Sequence, residues 1–536
     1  MRLLRSSAVV GGFTLLSRFF GVARDILLAA RLGAGPLTDA FFVALTFPNL
    51  FRRIFAEGAF NSAFIPLYAR RLEGEGAEEA DRFASEVLSV LTLSVMALVV
   101  LAQIFMPWLM YLLGPGFISD PGLFGFAVLM TQITMPYLLC MSMAAMISGA
   151  LNTHARFATA AAAPILLNVV LISTLLAAPG SREDLALWLS AGVTLSGVLQ
   201  TAWLYWASRR AGIKLTFQAP RLTSGVKRLI VLGVPGAAAA GVTHINQLVS
   251  GSIATLQEGA RSWIYYAERL YQLPLGVIGI AMGVALLPAL SKRLRAGDDA
   301  GAMGGQNRAI EISMALTLPA AAALLVIPDA VVAGLFQRGA FEESDTARTA
   351  LALAIYAAGL PAFVLIKVFS PGFFAREDTL TPMKFAAASM AVNMIVGVVL
   401  FFGPLGYAGL ALATTLAGWV NAVLLGFTLI RRRQFMPDAR LTQRLPRIIL
   451  ACLVMMGALC ALVELAEAPI LAAINAWLPT PLIALVWMGL LVLYGLLVFG
   501  VSTLALGGLR PQELLGALKR APAPSVEDQT KDGTGA

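Results

Sequence analysis

Several basic side chains lie inside stretches of sequence that are otherwise apolar, and their positions indicate chemistry with an anion. They are Arg18, Arg24, Arg52, Arg53, Arg269 and Lys367. Each such cation costs about 2.5–3.5 kcal/mol at the centre of a bilayer, so the set must face a water-filled cavity or charged partners. Carboxylates in the same stretches are fewer, namely Asp25, Asp39, Glu57 and Glu268. The predicted cavity is therefore net positive. Arginine suits a phosphate there because its planar fork donates two parallel hydrogen bonds.

The same charges also allow a structural interpretation. Two pairs of sequence neighbours can form structural ion pairs, namely Arg24–Asp25 and Glu268–Arg269. A long arginine side chain can also extend to the membrane interface. Arg18 and Arg24 stand six residues apart, about 240° around an ideal helix. They share a face only if the helix breaks, and Gly21 between them permits a break.

Other signatures of catalysis or metal binding are missing from the sequence. It contains no Gly-x-x-x-x-Gly-Lys-Ser/Thr phosphate loop, no His-Glu-x-x-His and no Gly-x-Ser-x-Gly. His154 and His244 are isolated, and the cysteines at 140, 452 and 460 lie in apolar segments without metal-ligand spacing. We therefore predict no catalytic residue and no metal site.

The elements that position the charges are transmembrane helices. The chain has 536 residues, is 58% hydrophobic and only 13% charged, against about 25% charged residues in soluble proteins. Its apolar stretches do not alternate in polarity and reach the roughly 20 residues that a helix needs to cross a bilayer. The expected fold is an all-α polytopic membrane protein of about fourteen transmembrane helices, from Val9–Arg31 to Leu482–Leu506.

The distribution of lysine and arginine predicts the orientation of these spans. With the N-terminus in the cytoplasm, 27 basic residues lie in inside segments and five in outside segments, as the positive-inside rule requires. The five outside residues are Arg31, Arg182, Arg261, Arg338 and Arg348. We expect a multi-pass protein of the bacterial cytoplasmic membrane with both termini in the cytoplasm. The net charge of +9 then needs no nucleic-acid partner.

Weak internal similarity predicts two parallel repeats. Pro136 and Asn168 recur as Pro361 and Asn393, both at an offset of 225 residues, and six predicted helices separate each pair. The predicted units are a six-helix lobe at 1–222, a second six-helix lobe at 223–440, two additional helices at 441–507 and a cytoplasmic tail at 508–536. Transporters commonly bind substrate between two such halves.

Specific motifs in the first seventy residues and in the eighth and tenth spans carry a family resemblance. They are SRFFGVARD at 17–25, TDAFFVA at 38–44, PNLFRRIFAEGAF at 48–60, SWIYYAERL at 262–270 and KVFSPGFF at 367–374. This set resembles the MurJ/MviN family of lipid II flippases of the MOP exporter superfamily, over residues 1 to about 433.

The resemblance implies a function and a site. Members move undecaprenyl-diphosphate-linked disaccharide-pentapeptide from the cytoplasmic to the periplasmic leaflet by alternating access, and their two added helices form a groove for the lipid tail. The implied substrate-binding residues are Arg18, Arg24, Arg52 and Arg269, linked to the diphosphate, with Asp39 and Glu57, and with Ser17, Asn49 and Lys367 from the same motifs. The expected partners are lipid II and membrane lipids, and we expect a monomer.

The chain departs from some members of the family where sodium would bind. Those members have a carboxylate in the seventh helix and another in the eleventh. Here the seventh span, Leu229–Thr255, has no acid, and the eleventh offers only Asn393, near Thr414 and Thr415. We predict no cofactor and do not expect sodium coupling. Membrane potential is the expected driving force, since it favours outward movement of negative charge by about 2.3 kcal/mol per charge per 100 mV.

Three alternatives remain at this point. A flippase of another lipid-linked oligosaccharide would need the same positive cavity, and only the motifs separate it from a lipid II flippase. A MOP-type exporter of cationic drugs should instead have acidic spans. A membrane glycosyltransferase needs catalytic carboxylates, often beside a long outside loop, and no outside segment here exceeds about twenty residues.

Overall fold

The structure, a computed structural model, describes residues 2–56, 59–477 and 480–508. Within these ranges the side chains of 2–9, 51–56, 59, 62, 234–243, 245, 277–285 and 480–481 lie outside the described part. The described residues form helices joined by short connections, without a strand among them. This confirms the all-α fold.

The helices of the first half begin with a long helix and end before the middle of the chain. They are α1 Arg2–Leu32, α2 Pro36–Ala56, α3 Ala59–Gly74, α4 Ala77–Leu113, a 3-10 helix Pro115–Ser119, α5 Pro121–Thr134, α6 Pro136–Thr153, α7 Phe157–Ala177 and α8 Arg182–Arg210. Those of the second half are α9 Ser224–Ala254, α10 Ala260–Arg295, α11 Asp299–Val326, α12 Pro328–Phe336, α13 Glu343–Phe374, α14 Leu380–Phe402 and α15 Tyr407–Arg431. Two further helices follow, α16 Ala439–Asn475 and α17 Thr480–Ala505.

The helix boundaries reproduce the predicted repeat. The ends of α1 and α9 are both offset by 222 residues, Arg2 to Ser224 and Leu32 to Ala254. The starts of α4 and α11 are offset by 222, and those of α8 and α15 by 225. The boundary predicted at 222–223 falls between α8 and α9, and the one at 440–441 falls in the first turn of α16. The division into independent units stays a prediction.

Two predicted spans are interrupted in the structure. The fourth consists of α5 and α6, because Pro136 has no N–H to continue the helix and begins a new one. Its repeat partner Pro361 lies inside the unbroken α13. The ninth predicted span, Ala309–Val332, also divides, because α11 ends at Val326 and Pro328 starts the short α12. No separate signal in the sequence predicted α12.

Ten helical segments among the described residues are long and apolar enough to cross a membrane. The helices α1, α2, α9 and α10 line the polar cavity described below. The total of fourteen spans stays a prediction.

Buried side chains show how the halves meet. We call the end of the bundle where Arg71, Arg209, Lys292 and Arg431 lie in the last turns of their helices the basic end. The largest core cluster contains residues of both halves from the opposite end, including Phe42, Tyr266, Phe336, Leu189 and Leu353. At the basic end one cluster, around Phe64 and Leu151, joins the first half to Val226 and Leu229 at the start of α9, and the second half has another cluster around Val368 and Leu429. The largest shared core therefore lies toward the opposite end.

An extended segment between α8 and α9 is fastened to α4. The backbone N–H groups of Lys214, Thr216 and Gln218 donate to Asp81 Oδ2 (2.8 Å), Ser85 Oγ (3.1 Å) and Ser89 Oγ (2.9 Å), respectively. Two extended residues span about 6.7 Å and four helical residues about 6.0 Å, so alternate amides meet successive helical turns. We call residues 213–218 the strap.

The additional helix α16 is anchored to α11 by one buried carboxylate. Glu311 is 2% exposed. Its carboxylate accepts from Arg444 Nη1 at 2.6 Å and from Arg440 Nη2 at 3.1 Å, and it also pairs with Arg308. Three arginines around one acid satisfy its charge and fix the start of α16 beside the second half.

Candidate functional site

A central cavity of about 600 Å³ lies between the two halves. Most of its lining comes from α1, α2, α9 and α10. The charged lining residues are Arg18, Arg24, Arg261, Arg269, Asp25 and Glu268. Among the described residues the lining thus holds four arginines and two carboxylates. This arrangement agrees with the predicted excess of positive charge.

Arg24 is the most fully engaged of the cavity arginines. Its side chain is 11% exposed. Nε and Nη2 donate to Asp25 Oδ1 at 3.0 and 2.7 Å, and Nη1 donates to Asn168 Oδ1 at 3.0 Å. Asn168 in turn donates from Nδ2 to the Ser17 carbonyl at 3.1 Å. The side-chain amide of Asn168, on α7, therefore fixes the position of Arg24 relative to the turn of α1 at Ser17.

Arg269 connects the second half to this group. Its Nη2 donates to the Tyr265 hydroxyl at 2.8 Å, and its Nε lies 3.4 Å from Asp25 Oδ2. The Tyr265 ring is stacked on Phe42 with centroids 3.8 Å apart. The Arg269 side chain is 45% exposed, and it lines the cavity.

Asp25 lies between the two arginines and is itself 3% exposed. One oxygen accepts from Arg24 and the other faces Arg269. An oxyanion at the position of this carboxylate would meet the same two guanidinium groups. In this conformation, Asp25 balances part of the positive charge of both arginines.

Arg18 also lines the cavity, and no break in the helix brings it there. The helix α1 is continuous from Arg2 to Leu32 through Gly21, so the expected break is absent. The cavity instead covers a broad sector of α1 that includes Ser17 and Arg24. The Arg18 guanidinium rests against Gly276 of α10, where an added Cβ would overlap it. Asn49 of α2 completes this part of the lining.

Asp39 has a structural position that the sequence did not predict. It is 1% exposed and is not part of the cavity lining. Its oxygens accept from the N–H of Gly259 (2.8 Å), the N–H of Ser262 (2.8 Å) and the Ser262 hydroxyl (2.5 Å). The two N–H groups are amides at the start of α10, where four N–H groups lack helical partners. Asp39 thus caps α10 from α2 and fixes the helix that carries Arg269, rather than facing a substrate.

Three other predicted site residues do not join this geometry. Lys367 lies on α13 with an exposed side chain and is not part of the cavity lining. The Arg52 side chain and Glu57 lie outside the described residues. The structure therefore gathers Ser17, Arg18, Arg24, Asn49 and Arg269 around one cavity.

Sequence reasoning missed several lining residues. Asn168 was noticed as a repeat position but not as a partner of Arg24. Tyr265 was part of a motif without a role, and Arg261 was counted as an outside loop charge, although it lies in the first turn of α10 and lines the cavity. The signal for Tyr265 and Arg261 was their spacing, because 261, 265 and 269 fall on one helical face. His244, expected to be structural, is also in the lining.

Of the three residues considered for a cation, Thr414 lines the cavity, whereas Asn393 and Thr415 are not in the lining. Asn393 donates from Nδ2 to Thr414 Oγ1 at 3.0 Å, and Thr415 donates to the Ile355 carbonyl at 2.8 Å. Within the described part of the chain, no group of three or more His, Cys, Asp or Glu side chains could hold a metal ion.

Comparison with known proteins identifies the family of this chain. The family model described as "Lipid II flippase MurJ" matches residues 28–477. The "Probable lipid II flippase MurJ" of Rhizobium meliloti (strain 1021) is 45% identical over 537 residues, covering 99% of this chain and 99% of that protein.

Two solved structures share the fold. "Lipid II flippase MurJ, inward closed conformation" has a TM-score of 0.76 and 24% identity, covering 96% of this chain and 100% of that chain. An inward-facing multidrug resistance MATE family transporter of the MOP superfamily has a TM-score of 0.63 and 16% identity, covering 80% of this chain and 98% of that one. They confirm the predicted fold, which both proteins share. The family model and the relative with 45% identity show that this chain belongs to the lipid II flippase MurJ family.

Proposed function

We propose that this protein translocates lipid II, the undecaprenyl-diphosphate-linked peptidoglycan precursor, from the cytoplasmic to the periplasmic leaflet of the bacterial inner membrane. The observation that carries the proposal is the cluster of Arg24, Asp25 and Arg269, where α1 of one half meets α10 of the other inside a net positive cavity. A diphosphate offers more oxyanion oxygens than the Asp25 carboxylate. It can therefore compete for both guanidinium groups.

The packing supports transport by alternating access. The largest core joins both halves toward the opposite end, whereas at the basic end only the start of α9 joins the cluster of the first half and the rest of the second half packs in a cluster of its own. The cavity of about 600 Å³ is in the range of roughly 300–1,000 Å³ typical of sites for drug-sized ligands. A disaccharide-pentapeptide diphosphate is larger than such ligands, so the halves must move apart to admit it.

The contacts between α1 and α10 must change when the halves move. Arg24 and Asp25 lie on α1, whereas Tyr265 and Arg269 lie on α10. Substrate oxyanions at the arginines would weaken the link through Asp25 and so couple binding to movement of the halves. The role is that of a transporter, and we propose that the protein catalyses no covalent step.

The orientation and driving force belong to the same proposal. We propose cytoplasmic termini, a monomer, and transport driven by membrane potential without a cofactor or sodium ion. Reporter fusions at Pro179 should report periplasm, and fusions at Gly297 cytoplasm. In proteoliposomes, flipping should survive removal of sodium and stop when the potential is dissipated at constant pH. Dependence on external sodium at fixed potential would contradict this coupling.

The proposal is tested by depleting the protein in its native host and measuring which leaflet holds accumulated lipid II. We expect accumulation in the cytoplasmic leaflet, restored to normal by the wild-type chain. Arg24→Ala and Arg269→Ala should reach the membrane without restoring it, and lysine at either position should restore it only in part because lysine lacks the planar fork. Normal periplasmic lipid II after depletion would exclude the proposed function.

A flippase for another lipid-linked oligosaccharide would use the same diphosphate contacts. Family membership favours lipid II over such a substrate. Competition between lipid II and a lipid-diphosphate oligosaccharide without a peptide, measured in proteoliposomes of the purified protein, separates the two.

A further inference from the structure

One face of α10 presents two arginines to the cavity at different depths. Arg261, Tyr265 and Arg269 are each four residues apart and all line the cavity. Eight helical residues span about 12 Å along the axis. Arg269 lies beside Asp25, whereas Arg261 lies in the first turn of α10, toward the end of the bundle opposite the basic end. The cavity therefore has a further cationic position, apart from Arg18 and from the Arg24–Asp25–Arg269 cluster.

Arg261 has few partners for a partly buried cation. Its Nη2 donates to Thr46 Oγ1 at 3.1 Å. Its Nε is buried without a hydrogen-bond acceptor, and among the described residues no carboxylate lies within ion-pair distance of it. Buried polar groups normally have partners, and a buried charge without one is costly. The guanidinium thus has unused donor capacity inside the cavity.

The surroundings leave room for this guanidinium and do not neutralise it. A Cβ added at Gly251 of α9 would lie 3.1 Å from Arg261 Cζ and Nη1, so the glycine lets the guanidinium lie close to the α9 backbone. The buried carboxylate of Asp39 also interacts electrostatically with Arg261. However, its hydrogen bonds come from Gly259 and Ser262 at the start of α10, and it forms no ion pair with Arg261.

We propose that Arg261 is a second anion-binding position of the cavity, which binds an oxyanion of the substrate headgroup about 12 Å along α10 from Arg269. This inference rests on the proposed function. Two parts of lipid II carry oxyanions that a guanidinium binds. They are the carboxylates of its peptide, and the diphosphate as it passes toward release. A purely structural arginine, balancing Asp39 at a distance, would bind neither.

The test compares binding of two lipids to wild-type protein and to Arg261→Gln in nanodiscs. One lipid is lipid II, and the other is the same lipid-linked diphosphate disaccharide without its peptide. We expect Arg261→Gln to weaken lipid II binding about tenfold, the scale of one lost charge-assisted hydrogen bond. If only lipid II is affected, the bound group is a peptide carboxylate; if both lipids are affected, it is the diphosphate. Either result supports the inference.

The matched control is Arg31→Gln, which removes an exposed arginine at the same end of the bundle that donates to the Ala178 carbonyl. It should leave both affinities at the wild-type value. Unchanged binding of both lipids to Arg261→Gln would overturn the inference while leaving the proposed function intact. Wild-type protein that bound neither lipid would overturn both. Should Arg261→Gln fail to reach the membrane, Gly251→Ala provides a second variant. It keeps the charge, displaces the Arg261 guanidinium and should weaken the binding of lipid II.

Discussion

Asn168 offers the sharpest test of how the cavity arginines are positioned. It is 6% exposed, and it accepts from Arg24 Nη1 and donates to the Ser17 carbonyl. Asn168→Ala removes both hydrogen bonds. A hydrogen bond to a charged group contributes about 1.5–3 kcal/mol. Asp25 still holds Arg24 after the change, so the lower limit applies, and about 1.5 kcal/mol corresponds to roughly a tenfold loss in flipping rate.

The repeat supplies a matched control. Asn393 occupies the corresponding position of the second half, is 5% exposed and donates to Thr414 rather than holding an arginine. Asn393→Ala also removes a buried amide, so both variants should lose comparable stability, about 1–3 kcal/mol each. Thermal unfolding measures that shared loss, and lipid II flipping in proteoliposomes measures the difference.

The unfolding and flipping measurements together separate a role in positioning Arg24 from a general loss of stability. We expect Asn168→Ala to flip lipid II about tenfold more slowly than Asn393→Ala, at equal protein levels. If Asn393→Ala slowed flipping as much as Asn168→Ala, the amide of Asn168 would have no particular role in holding Arg24. Unchanged flipping by Asn168→Ala would lead to the same conclusion.

Three further outcomes follow from the packing. Gly276→Leu should displace the guanidinium of Arg18, whose atoms occupy the space of an added Cβ, and should slow flipping. Gly457→Leu should not slow flipping, because a Cβ added there meets nothing within 4 Å; equal rates for the two variants would exclude a role for the contact. Glu311→Gln should lower the free energy of unfolding by about 3 kcal/mol in a denaturant titration, because the buried guanidinium of Arg444 loses its charged partner; an unchanged midpoint would contradict this anchor of α16. Ser85→Ala should increase cleavage of the strap in limited proteolysis about fivefold, since one hydrogen bond contributes about 1 kcal/mol; unchanged cleavage would show that this hydrogen bond does not fasten the strap.

Composition and local periodicity were sufficient for the membrane class, the all-α fold and the repeat. Apolar runs of helical length, interrupted by basic loops, are local properties that each segment carries by itself. The cost of placing Arg18, Arg24 and Arg269 in lipid likewise predicted that they face a shared polar space. That space is the cavity between the halves.

The motifs contributed a different kind of information. They carried Ser17 and Asn49 into the predicted site, and both line the cavity. They also carried Asp39 and Lys367, which the structure places elsewhere. Membership of a matching segment indicates that a residue matters to the family. It does not distinguish a ligand contact from a contact that positions one.

Only the tertiary structure determined which residues contact each other. Asp39 caps α10 through Gly259 and Ser262, more than 200 residues along the chain, and Asn168 holds Arg24 from 144 residues away. Helical periodicity fixes the direction of a side chain about its own axis. It does not fix the partner, because the partner depends on how separate helices cross and on how far each is displaced along its axis. The sequence by itself therefore determined that a positive cavity exists, and the packing of α1, α2, α7 and α10 determined which charges in it are already paired and which are open to a substrate.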